Sequence, residues 1–325
     1  LIPLRKIFGY LTHRRDSAML AAALLLLLAA LLRPTVPVER NIYSYMLVVD
    51  ISQSMNVEDM SLNGKPASRI AYTRKMLHDM ITAMPCGTRV SLALFAGVSV
   101  ADLYSPIEVC TNYAAIQDTI DHLDWRTAWS GNSRIRESML SVARTLRAMP
   151  EPAQVMFFTD GEEAPRLHAF NTRDLSNFQG GNGWLLVGIG SGKGTAIPKL
   201  DEKNQLIGYW AGDSFAMQPG IAQISEQNIG VRDNNVAAGE GDRYLSKLDE
   251  DYLKALSKEV SAQYVRGDSL RAVLAAMKEQ KPARRDIAPL EIHWLLAALA
   301  GVLLLTAHLP RHPLGMLRHL RLLRR

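Results

Sequence analysis

Apolar positions fall into three zones along the chain. Ala18–Leu32 is fifteen residues of Ala, Leu and Met without a charge or proline. From Ile42 to about Glu279, short apolar runs alternate with amphipathic stretches of helical period. A third zone, about Ile287–Leu309, is apolar again. The middle zone predicts an α/β domain with a mainly parallel sheet.

Within that zone Tyr45–Asp50 reads as a buried strand. Ser68–Met84 places Ile70, Met76, Leu77, Met80 and Ile81 on one side of a helix, and Pro85 ends it. Arg89–Phe95 and Val98–Tyr104 predict a hairpin about Ala96-Gly97. Thr111–Leu123 and Ser133–Met149 predict helices. Val155–Thr159 predicts a strand, with a helix from about Pro165. Trp184–Ile189 is a further strand. Leu248–Val260 and Ser269–Glu279 are closing helices, with a strand at Tyr264-Val265 between them. The segment 191–247 breaks the alternation. It is rich in Gly, Asn, Asp and Gln, with a small hairpin turning at Lys203–Gln205 and ending at Tyr209-Trp210. It reads equally well as a partner-contact surface or as a passive insertion.

Charge changes the reading of the two outer zones. Arg5, Lys6, Arg14 and Arg15 precede the first, and five arginines from Arg311 onward follow the last. Setting aside these nine of 37 basic residues, and Asp16 of 32 acidic ones, leaves 28 against 31. The basic balance therefore belongs to the ends and gives no reason to expect nucleic acid. A spanning helix needs roughly 20 apolar residues. We expect transmembrane helices at 17–37 and 287–309, a cytoplasmic segment at 1–16, a basic cytoplasmic tail at 310–325 and a domain at 38–286 between them. A cleaved signal peptide is the alternative for the first run, but Arg33-Pro34 stands where a small-residue cleavage site belongs. Basic flanks stay inside. The expectation is a bacterial inner-membrane protein with both termini cytoplasmic and the domain periplasmic.

The candidate chemistry lies beyond two predicted strands. Asp50-x-Ser52-x-Ser54 follows the first, and Thr159-Asp160-Gly161-Glu162 follows a later one. In parallel sheets both segments emerge at the carboxyl ends of strands, where ligands bind. Ser130–Ser133 adds hydroxyls at the start of a helix. Carboxylates and hydroxyls are hard oxygen ligands, suited to Mg²⁺, Ca²⁺ or Mn²⁺ and not to Zn²⁺ or Cu. Taken singly, each segment is also a common turn or helix cap; the combination is more specific.

These residues resemble the metal-ion-dependent adhesion site of the von Willebrand factor A family. The resemblance implies a doubly wound, mostly parallel sheet with helices on both faces. It implies Ser52 and Ser54 as direct ligands of the cation, Asp50 and Asp160 acting largely through water, and Ser133 where the family usually has Thr. Gln53 replaces the usual Gly. It also implies a binding module and not an enzyme, with a partner's carboxylate completing the coordination. Two flanking spans resemble the Bat-type proteins encoded beside MoxR ATPases. Ser54–Val57, Pro66–Arg69, Pro85–Gly87, Pro106–Cys110, Asp124–Arg126 with Trp129, and Ile207–Trp210 resemble the MxaL-like and MxaC-like branch. That branch serves maturation and Ca²⁺ loading of periplasmic methanol dehydrogenase. The implied partners are a client enzyme, membrane proteins of the same operon and a MoxR-type ATPase.

Three further features bear on function. Cys86 and Cys110 flank the predicted hairpin, and an oxidising compartment makes a disulfide sensible. Trp125 and Trp129 precede the Ser130–Ser133 loop and, with Glu162, are candidates for partner contact, against core packing as the ordinary fate of Trp. Competing functions are a metal-dependent phosphoesterase, a Bat-type stress-tolerance protein and a surface adhesin.

Overall fold

In the computed structural model, residues 4–178, 180–214 and 235–308 are described. Two compact units result: the described parts of Leu1–Arg40 with Arg285–Arg325, and Asn41–Arg284.

The larger unit is built on a six-stranded sheet. Its strands are β1 (Ser44–Asp50), β2 (Arg89–Ala96), β3 (Ser99–Glu108), β4 (Gln154–Thr159), β5 (Leu185–Gly188) and β6 (Gln263–Arg266), in the order β6-β5-β4-β1-β2-β3. All neighbours are parallel except the β2–β3 hairpin. The central strand shows why the sequence chooses this architecture. Every residue of β1 is buried, which is the mark of a strand covered on both faces. Tyr45, Leu47 and Val49 join one apolar cluster; Met46 and Val48 join another. The period of two thus divides the core between the faces.

Among the described residues the α-helices are α1 (Leu4–Leu31), α2 (Arg69–Ala83), α3 (Tyr113–Asp121), α4 (Ile135–Ala148), α5 (Glu250–Glu259), α6 (Leu270–Glu279) and α7 (His293–His308). On the first face Leu77, Met80 and Ile81 of α2, Ile116 of α3 and Val273 of α6 pack with the odd residues of β1. On the other, Met139 and Val142 of α4 and Leu253 and Leu256 of α5 pack with the even ones. There Phe95 and Phe157 meet edge to face at 5.1 Å. Ser68 caps α2 by accepting from the Ala71 N–H.

A disulfide joins Cys86 and Cys110 at the amino-terminal end of the β2–β3 hairpin. Two register shifts in the hairpin bring Glu108 opposite Arg89. Without those shifts the Ala96–Ser99 register would have set 109 opposite 86.

The expected helix from Pro165 is absent. Residues 165–178 form turns. The carbonyls a helix would use are taken elsewhere: Arg134 donates to the Asn171 carbonyl, Arg136 to that of Arg173, and the Asn171 side chain to that of Arg166. In the 191–247 segment, Pro198–Leu200 pairs with Leu206–Tyr209, and Thr195-Ala196 with Leu245-Ser246. Its middle, 215–234, lies outside the described residues.

In the smaller unit α1 packs against α7, and Thr35–Ile42 pairs with Arg284–Glu291. The two apolar zones do not form helices over their expected ranges. α1 stops at Leu31, because Pro34 disfavours helix at Arg33, which takes a φ of 45°. The second zone is strand as far as Glu291, and Pro289 excludes a helix interior there. Among the described residues, no helix is long and apolar enough to cross a membrane. The expected tail at 310–325 lies outside the described residues.

Candidate metal centre

Val49 lies opposite Phe158 in the β1–β4 ladder. The next residues, Asp50 and Thr159, therefore leave the sheet side by side at its carboxyl edge. The Thr159 hydroxyl donates to Asp50 Oδ2 at 2.7 Å, and the Ser52 N–H donates to Asp50 Oδ1 at 2.9 Å. The turn that follows sets Ser52 Oγ and Ser54 Oγ 3.1 Å apart. Asp50 and Asp160 are wholly buried, and Ser52 and Ser54 nearly so.

Asp160 is held from two sides. Its Oδ1 accepts from the Glu162 N–H at 3.0 Å and its Oδ2 from Arg69 Nη1 at 2.8 Å. Between Asp160 and Glu162 lies Gly161 at φ +82°; a Cβ there would come within 2.9 Å of the Asp249 carbonyl. Only glycine turns the chain at this point so that it passes α5. Ser133 is stitched between two other turns: the Gly97 N–H donates to the Asn132 carbonyl, and Ser133 and Ala164 exchange backbone hydrogen bonds. Its hydroxyl is buried and has no hydrogen-bond partner.

The electrostatics follow from burial. Desolvation, and then the charge of Asp160, push the Asp50 carboxyl up to about 7. The same two causes push Glu162 up to about 7. Burial pushes Glu163 up to about 7, although the Tyr252 hydroxyl and the Arg136 N–H both donate to its Oε1. Arg69 keeps its charge. Burial works against its charge, yet Asp160 and Asp59 hold the guanidinium above its ordinary value.

The donor set fits a hard divalent cation. Adjacent oxygens around an octahedral Mg²⁺ at about 2.1 Å lie about 3 Å apart, and the two serine hydroxyls are 3.1 Å apart. Ser133 Oγ is a buried acceptor without a hydrogen bond. The raised Asp50 carboxyl reports negative charge that a cation would offset. Among the described residues, Cys86, Glu108 and Cys110 bring ligand atoms within 4.8 Å of one another, but both sulfurs are committed to the disulfide, so they form no thiolate site.

The two tryptophans differ. Trp125 is half-buried, and its indole N–H donates to Asn204 Oδ1 at the tip of the small hairpin. Trp129 is 47% exposed beside the Ser130–Ser133 loop and donates to Ser99 Oγ. Glu162 Oε1 accepts from the Lys247 N–H at 3.2 Å. Sequence reasoning marked Thr159 only as part of its motif, and did not single out Asp59, Phe170 or, as a site residue, Arg69. Phe170 is 93% exposed next to Asn171, whose carbonyl Arg134 holds. One signal was present for Arg69: a cation at the first position of a helix opposes the helix dipole and needs a reason.

Residues 45–163 match the von Willebrand factor type A domain, and this part of the chain carries that α/β fold. A UPF0353 protein of Mycobacterium sp. (strain KMS) is 32% identical over 153 residues, covering 45% of this chain and 43% of the relative. UPF0353 protein MLBr01808 of Mycobacterium leprae is 31% identical over 153 residues, with the same shares. The match thus spans less than half the length of these relatives. An aerotolerance-related membrane protein from Bacteroides fragilis aligns at 17% identity and a TM-score of 0.49, covering 73% of this chain and 98% of that one. BatB from Bacteroides thetaiotaomicron aligns at 16% identity with the same TM-score and shares.

Proposed function

We propose, from the premise that residues 45–163 carry a von Willebrand A-type domain, that the chain is a membrane-anchored docking factor that works through a bound divalent cation. Ser52, Ser54 and Ser133 offer hydroxyl ligands, and Asp50 and Asp160 act through water. Mg²⁺ is the first choice of ion, with Ca²⁺ or Mn²⁺ as alternatives. The bound ion supplies a Lewis-acidic point that a partner's carboxylate completes. The observation that carries this reading is the spacing of the Ser52 and Ser54 hydroxyls, 3.1 Å apart, together with a Ser133 hydroxyl that is buried and unpartnered. Exposed Trp129, next to the Ser130–Ser133 loop, supplies apolar contact area for a partner.

Docking is favoured over phosphoesterase chemistry by the state of Arg69. Phosphoryl transfer wants a cation free to meet the phosphate, whereas Arg69 has no exposed surface and is bound to Asp59 and Asp160. The motif stretches of the sequence support an accessory role in maturing a periplasmic enzyme such as methanol dehydrogenase, beside a MoxR-type ATPase; a Bat-type stress-tolerance role is the second reading. Membrane anchoring is supported by the α1–α7 pair. Leu24, Leu25, Leu31, Leu299 and Leu305 are more than half exposed, while Ala23 and Ala300 are buried. Leucines outward and small residues inward is how helices associate in lipid. Basic flanks would keep both termini cytoplasmic.

The test is affinity purification of the full chain from membranes with and without a chelator. Partners should be retained with Mg²⁺ and lost with chelator or in Asp50→Ala. Retention of every partner by the variant would refute metal docking. The identity of the captured client decides between the maturation and stress readings.

A further inference from the structure

Arg69 is the first residue of α2 and has no exposed surface. Each fact is unfavourable alone. A helix N-terminus repels a cation, and a buried charge is costly unless it is paired and hydrogen-bonded. The surroundings answer both. Nε and Nη2 donate to the two carboxylate oxygens of Asp59 at 3.0 and 2.7 Å. Nη1 donates to Asp160 Oδ2 at 2.8 Å, to Ser246 Oγ at 2.7 Å and to the Ser54 carbonyl at 3.4 Å. Gly190 makes the room: a Cβ there would sit 2.7 Å from Arg69 Nε.

The partners come from four places in the chain. Ser54 belongs to the first metal loop and Asp160 to the later one. Ser246 lies at the far end of the 191–247 segment. Asp59 Oδ2 also accepts from the Ser191 N–H at 2.9 Å, at the near end of that segment. One guanidinium therefore ties both metal loops to both ends of the segment. We propose that Arg69 is a positioning residue of the metal centre, which fixes Asp160 for the cation and couples metal occupancy to the base of the 191–247 segment.

The physical reason is orientation. With Oδ1 held by the Glu162 N–H and Oδ2 by Arg69, the Asp160 carboxylate cannot turn away from the neighbouring negative charge of Asp50. Without Arg69 it would turn, and the cation would lose the water-held arm on that side. Coupling is reciprocal: if the segment's base steadies the metal centre, the metal steadies the segment's base to the same extent. Lysine does not replace arginine here, because one ammonium cannot grip Asp59 at both oxygens and reach Asp160 as well.

The inference rests on the metal reading above, and the two can be told apart by titrating the full chain with Mn²⁺ while following amide exchange at Ser191. In the wild type, Mn²⁺ should bind and slow exchange at Ser191. Asp59→Asn and Arg69→Lys should each weaken Mn²⁺ about tenfold, the lower end of what groups orienting metal ligands contribute. In both, Ser191 should exchange faster and no longer respond to Mn²⁺. Asp59 is not among the candidate ligands, so a purely structural staple would change exchange and leave Mn²⁺ affinity alone; that result overturns the inference. If these variants do not fold, Ser246→Ala carries the test, with Mn²⁺ weakened about threefold, the size of one neutral hydrogen bond; unchanged affinity overturns it. A wild type that binds no Mn²⁺ overturns the metal reading and this inference together. Wild-type binding that no variant disturbs overturns this inference alone.

Discussion

The two ends of the sheet hold carboxylates in opposite conditions. At the amino-terminal end, Glu108 is near the surface and accepts from the Gly87 and Thr111 N–H groups at 2.7 and 2.6 Å. Those donors hold its carboxyl down to about 2. At the carboxyl end Asp50 also accepts two short hydrogen bonds, yet its carboxyl rises to about 7 because burial and Asp160 outweigh them. Hydrogen bonds alone do not set a carboxylate's fate; solvation and neighbouring charge decide. The amino-terminal end is complete, tied by its own disulfide and its own donors. At the carboxyl end Arg69 offsets Asp160, whereas Asp50 accepts only from the neutral Ser52 N–H and Thr159 hydroxyl.

That contrast can be broken from either side. The largest effect should come from the complete end. Replacing Cys86 and Cys110 by Ser opens a covalent closure of sequence separation 24, which is worth roughly 3 kcal/mol in the chain-entropy model. Denaturant melts should show that loss while Mn²⁺ affinity stays at the wild-type value; a fall in affinity would mean the two ends are not independent. Slightly smaller is the effect of metal. At a hundredfold excess over its Kd, Mg²⁺ or Ca²⁺ should stabilise the wild type by about 2.7 kcal/mol and Asp50→Ala not at all. Without metal, that variant should melt at or above the wild-type temperature, because a buried repulsion is gone.

Acidity should separate the ends next. Asp50, Glu162 and Glu163 have folded values raised to about 7. Between about pH 4 and pH 7 the folded chain keeps protons that the unfolded chain has released, so stability falls as pH rises through that window. The chelated chain should melt several degrees higher at pH 5 than at pH 7.5. Saturating Mg²⁺ should flatten the slope; an equal or opposite slope with chelator would show that the buried acids are not protonated. The smallest effect belongs to Glu108, whose value is depressed. Its contribution is present above about pH 4 and is lost as pH falls toward 2, so Glu108→Gln should melt lower than the wild type above about pH 4 and converge with it toward about pH 2.

Much of the fold was legible because it is written locally. The all-apolar run at β1, the one-sided helices and the strand-loop positions of Asp50 and Asp160 all follow from periods of 2 and 3.6 residues. What was not legible depends on distant partners. Arg69 and Asp160 are 91 residues apart in sequence, and nothing near Arg69 announces its carboxylates. The turns after Pro165 came from arginines of the 134–136 stretch taking carbonyls that a helix would have used. The ends of the apolar zones were misplaced where proline outweighed hydropathy, at Pro34 and Pro289.

One small cluster limits how freely this protein could change. Val57 and Ala164, each a few residues past one of the candidate metal loops, are buried with Ile197 and Trp210 from the 191–247 segment. A segment that looks like an appendage thus shares a buried cluster with the chain that follows Ser54 and Asp160. Grafting a shorter connection from a relative would leave Val57 and Ala164 facing water, unless the graft also carried an apolar pair to replace Ile197 and Trp210. Length at 191–247 is negotiable; those two anchor points are not.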